Sequence, residues 1–104
     1  MNDSEICKRI AEIEGLIISN HKVAESDLWV HIGYTENSSV TLFNPLTDKA
    51  LCFDLMVKYD VRVEPSDCNA WIDNEDGYPE FEIIHHNGTL QQAICLAIIE
   101  AHKG

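Results

Sequence analysis

A chain of 104 residues, 45% apolar and with only five glycines and three prolines, has the composition of one folded domain spanning 1–104, not of a disordered tail. Eighteen acidic residues against seven basic ones give a net charge of −11, which argues against nucleic acid or an anionic membrane as a direct partner, since both are held by Lys and Arg. The apolar runs are too short to cross a bilayer, and the acidic start M-N-D-S-E-I is unlike a secretory leader, so a cytoplasmic setting is expected.

The first element expected is an amphipathic helix from Asp3 to Ser19, with Ile6, Ile10, Ile13 and Ile17 on one side and a cap at Asn2 or Ser4. Asn20 and His21 end it. Leu28 to Ile32 reads as a strand with Leu28, Val30 and Ile32 on its apolar face, and Val40 to Phe43 as its hairpin partner after the turn G-Y-T-E-N-S-S. A second helix follows, capped by Asn44 ahead of Pro45 or by Thr47, with Leu46, Ala50, Phe53, Met56 and Val57 as its buried stripe and an end near Tyr59 and Asp60.

V-R-V-E-P and C-N-A-W-I-D then read as strands, joined through N-E-D-G-Y to the returning strand E-F-E-I-I-H-H. The Asp76-Gly77 pair favours a tight hairpin there. Thr89 and Gln92 have capping-box spacing and open a last helix. Its stripe is Leu90, Ile94, Ala97, Ile98 and Ala101, widened by Cys95 and Ile99, so this helix should be buried on more than one side. The order α-β-β-α-β-β-β-α predicts an α+β fold, with three helices packed on a small, mainly antiparallel sheet.

Reactive chemistry finds little support. Cys7, Cys52 and Cys95 fall within apolar helical patterns, where cysteine packs as a small hydrophobe, and no cysteine pair has zinc-ligand spacing. Asp73, Glu75 and Asp76 beside Gly77 do not match the alternating ligands of a calcium loop. His85 and His86 point to opposite faces if they lie on a strand, and Cys68 has only acidic company, which does not activate a thiol. Neither a catalytic residue, a metal ligand nor a cofactor is therefore assigned, and an enzyme is not expected.

What stands out is the distribution of charge. Between Arg62 and Lys103 there is no basic residue, whereas Glu64, Asp67, Asp73, Glu75, Asp76, Glu80, Glu82 and Glu100 are acidic. A field of one sign over that stretch steers a cationic partner, and Trp71 and Tyr78 lie inside it as aromatic anchors. The candidate partner-binding set is Trp71, Asp73, Glu75, Asp76, Tyr78, Glu80 and Glu82.

Two segments resemble those of the phage ABA sandwich domain family, which are small phage and prophage proteins. One is F-N-P-L-T-D-K-A, through Phe43, Pro45, Thr47, Asp48 and Ala50; the other is A-I-C-L-A-I-I-E-A-H, through Ala93, Ile94, Cys95 and Ala97. Leu46 stands where that family usually has Ser. The resemblance implies helices flanking a sheet and a phage accessory protein working in the host cell cytoplasm. It supplies no catalytic residue.

Three roles follow as expectations. The first is a non-enzymatic, anti-CRISPR-like inhibitor whose acidic surface docks on a basic host protein. The second is a sponge for a small nucleotide immune signal, stacking its base on Trp71 or Tyr78 across a homo-oligomer interface. The third is a structural or regulatory phage component with an inert acidic surface.

Overall fold

The computed structural model describes residues 1–19, 28–31 and 38–103. Their order is α-β-β-α-β-β-β-α, an α+β fold, but the strands form two antiparallel sheets, of two and three strands, where a single sheet was expected. The chain divides into two compact units, Met1–Asn44 and Pro45–Gly104.

In the first unit, α1 (Asp3–Ile13) is capped by Asn2, whose side chain accepts from the Glu5 amide at 2.8 Å. The helix stops six residues short of the expected end. Gly15 takes φ +72°, its amide donates to Glu12 O, and the Leu16 amide donates to Ala11 O, the paired bonds of a Schellman stop. Ile17 therefore leaves the helical stripe, and Ile6, Cys7, Ile10 and Ala11 are what α1 buries.

Beyond the stop the chain turns extended, and Ile18 bridges Val30. β1 (Trp29–His31) pairs with β2 (Val40–Leu42) in the register Trp29↔Leu42, with Val30 buried. Phe43, buried as well, continues the hairpin through its amide to Leu28 O. The helix end placed at Asn20 and His21, Ile32, and the turn as far as Asn37 lie outside the described residues.

In the second unit, α2 (Lys49–Lys58) starts later than expected and is capped by Asp48, which accepts from the Leu51 amide at 3.1 Å. Neither of the expected caps is used: Pro45, Leu46 and Thr47 form a turn, and the Asn44 carboxamide oxygen accepts from the Cys7 thiol. The buried face also differs. Cys52 and Leu55 are the buried residues of α2, while Phe53 and Val57 are 59% and 61% exposed and Ala50 is exposed too. The reason is that α2 carries apolar residues around most of its circumference, so spacing alone does not select a face. The helix ends where Asp60 takes φ 53°.

β3 (Val61–Glu64), β4 (Asn69–Asp73) and β5 (Pro79–Ile83) form the three-stranded sheet in that spatial order, so β5 is an edge strand. A single 3-10 turn, Pro65–Asp67, joins β3 to β4, and Cys68 leaves it with left-handed backbone. The last helix, α3 (Leu90–Ala101), packs on all three strands and on α2. Its burial follows expectation: Ala93, Ile94, Cys95, Ala97, Ile98 and Ile99 are buried, more than one stripe can hold. Each buried isoleucine contributes roughly 1.5–3 kcal/mol relative to exposure, so α3 is the main apolar anchor of this unit. The capping box is present in full, with the Gln92 amide donating to Thr89 Oγ1 at 3.2 Å and the Thr89 amide to Gln92 Oε1 at 2.9 Å.

Candidate functional site

The acidic stretch folds as the β4–β5 hairpin, and its tip is built by Asn74 and Gly77. The Gly77 amide donates to Asn74 O, Gly77 takes φ +82°, and the Asn74 amide closes the loop onto Tyr78 O at 2.7 Å. The Asn74 side chain accepts from the Asp76 and Tyr78 amides at 2.9 and 3.0 Å. A turn completed by a left-handed residue is the three-residue hairpin geometry that the Asp76-Gly77 pair encodes. Because one side chain organises the loop backbone, Glu75 and Asp76 are held at a defined tip, both exposed.

On the sheet, Arg62 lies opposite Trp71, with Asp73 two residues further along the same face. Asp73 accepts from the Trp71 indole N–H at 3.1 Å and from Arg62 Nε at 2.8 Å. The only arginine or lysine near the hairpin in sequence is thus paired on the face of the sheet, and Asp73 is engaged by its neighbours. Trp71 is half-buried. Of the expected set, these two residues support the surface and offer it little.

The returning strand contains a feature that alternation does not foresee. Ala70 pairs with Ile83 but Ile72 with Glu80, so Phe81 and Glu82 together oppose Trp71. This is a β-bulge, and Phe81 sits in it with φ 52°, a conformation costing a non-glycine residue roughly 1–2 kcal/mol. The strand also ends at Ile83, short of the expected His86. His85 turns left-handed, its amide donates to Asn69 Oδ1, and His86 Nε2 lies 3.2 Å from Gln92 Oε1.

The outcome is a surface on which Glu75, Asp76, Glu80 and Glu82 are exposed, together with Tyr78 at 69% exposure and Phe81 at the margin of exposure. No ion pair among the described residues engages any of those four carboxylates. A shallow depression of about 200 Å³ lies alongside, walled by Trp71, Pro79, Glu82 and Ile84. Phe81 was absent from the expected set because only the bulge, a cross-strand property, turns it outward.

Elsewhere, reactive groups are engaged or buried. The Cys68 thiol is directed to Gly88 O, and His31 Nδ1 lies 3.0 Å from Ser38 O. Cys52 is buried against Cys95; the hydrogen bond from the Cys95 thiol lowers the Cys52 pKa, while burial pushes it up. Glu64, fully exposed, is held below its ordinary pKa by bonds from the Ser66 hydroxyl and amide. No helix among the described residues is long and apolar enough to cross a membrane. No family model matches this chain, and neither a curated protein nor a solved structure does.

Proposed function

We propose that the protein is a non-enzymatic phage accessory protein that inhibits a host defence component in the host cytoplasm by docking its β4–β5 hairpin on a basic surface. One observation supports this most: Glu75, Asp76, Glu80 and Glu82 are exposed and free of ion pairs among the described residues, beside exposed Tyr78 and Phe81. Carboxylates around an aromatic anchor suit a surface of Lys and Arg that evolved to hold phosphates, because they meet those cations without a nucleic-acid backbone. The left-handed Phe81 fits this reading, since strained residues gather where a surface is shaped for contact. The resemblance to small phage proteins supplies the biological setting.

A second reading is favoured by the position of β5 at the sheet edge. Charged side chains on an edge strand block pairing with other chains, so Glu80 and Glu82 would then guard an inert surface. The nucleotide-sponge reading gains less, because Arg62, which would meet a phosphate, is already held by Asp73.

Charge reversal separates the first two readings. Lysine guards an edge as well as glutamate does. A variant carrying Glu75→Lys, Asp76→Lys, Glu80→Lys and Glu82→Lys should therefore stay folded and unaggregated under either reading. Under the inhibitor reading it loses both the partner recovered from host lysate, identified by native mass spectrometry, and protection of phage against that host's defence. Wild-type capture should also weaken steeply with salt, as the screening length shrinks from about 8 Å to about 3 Å at 1 M. A reversed variant that still protects phage fully would discard the acidic-docking reading.

A further inference from the structure

The second unit contains an apolar cleft that the acidic hairpin does not use. It has a volume of ≈ 320 Å³ and lies between α2, β3 and α3, with Phe53, Val63, Leu90 and Ile94 among its walls. That volume is at the small end of ligand-binding pockets. At the ~30 Å³ that one water occupies in the liquid, it has room for about ten non-hydrogen atoms. Phe53, one of its walls, is 59% exposed, although aromatic residues usually bury their rings.

The cleft is bordered by one cationic and one neutral polar side chain. They belong to Lys49 and Gln91, and none of the ion pairs among the described residues involves Lys49. Lys49 and Gln91 lie in the first turns of α2 and α3, so the N-terminal turns of both helices border the cleft. The nearest carboxylate in sequence, Asp48, keeps its charge but accepts from the Leu51 amide as the helix cap and is not among the residues that line the cleft. An apolar trough bordered by Lys49, which joins no ion pair among the described residues, is locally complementary to a small amphipathic anion, against the chain's net charge of −11.

We propose that this cleft binds a small apolar carboxylate of about ten non-hydrogen atoms, its hydrocarbon part between Phe53, Val63 and Ile94 and its carboxylate at Lys49. The inference is independent of the hairpin reading, because none of these residues belongs to the hairpin.

The test is an amide NMR titration of the intact protein with octanoate, octanol and octylamine. For octanoate, saturable shifts should be confined to the cleft segments of α2, β3 and α3, with a Kd of roughly 0.1–1 mM. Octanol should bind more weakly and octylamine weakest. Lys49→Glu, at an exposed first-turn position, should leave the fold intact, weaken octanoate by about tenfold and favour octylamine. Octylamine binding as tightly as octanoate would overturn the proposal, as would shifts centred on the hairpin. So would the absence of saturation by about 5 mM.

Discussion

Asp73 and its neighbouring carboxylates should behave very differently on mutation, although the sequence presents them as one acidic run. Asp73 accepts from the Trp71 indole at 3.1 Å and from Arg62 at 2.8 Å. A hydrogen bond to a charged acceptor contributes about 1.5–3 kcal/mol when buried, and partial exposure brings the Trp71 bond to about 1 kcal/mol. The Arg62 side chain is 56% exposed and that of Asp73 23%, so the ion pair adds only about 0.5 kcal/mol. Asp73→Ala should therefore cost about 1.5 kcal/mol, while Glu75→Ala and Asp76→Ala, at the exposed tip, should stay within about 0.5 kcal/mol of wild type.

The assay is urea unfolding followed by tryptophan fluorescence, run on Asp73→Ala, Arg62→Ala and the double variant. The cycle should return a coupling of about 0.5 kcal/mol at low salt that shrinks in 1 M salt. An Asp73→Ala variant as stable as Glu75→Ala, or a coupling indifferent to salt, would refute this account of the hairpin.

Other consequences follow from the same geometry. Thr89→Ala removes one half of the capping box and should cost about 1 kcal/mol in urea unfolding. Gly88→Ala should produce a similar loss, because the added methyl would collide with the Gln92 carboxamide that completes the box and with His86 Nε2. Leu55→Ala should cost about 2–5 kcal/mol, whereas Phe53→Ser, on the exposed side of the same helix, should cost less than about 1 kcal/mol. Glu64 has a folded pKa below its ordinary value of 4.5, so the stability it contributes is full above that pH and disappears as pH falls through the lowered folded value. The Ser66 amide resonance should titrate over that acid window, and Glu64→Gln should abolish the transition.

How much could be read in advance depended on how far each determinant reaches along the chain. Asn2, the Thr89–Gln92 box and the Asp76-Gly77 turn act through contacts spanning only a few residues, and each is found where its spacing places it. The isoleucine spacing running on to Ile17 pointed past the true end of α1, which the Schellman bonds at Gly15 to Ala11 and Glu12 close. At Asp48 the competing caps Asn44 and Thr47 were equally local, and Asn44 is instead committed to the Cys7 thiol 37 residues away.

The sequence by itself determined the order of elements, the burial of α3 and the position of the acidic hairpin, because these rest on local hydrogen bonds and on a helix apolar enough to need cover on several sides. Only the tertiary structure decided which side of α2 is buried, because a helix apolar around most of its circumference takes its orientation from what packs on it. It likewise decided that Asp73 is spent on Arg62 and Trp71, and that the bulge at Phe81 shifts the register of β5. Both are contacts between strands, and a cross-strand partner leaves no periodic trace in the residues on either side of it.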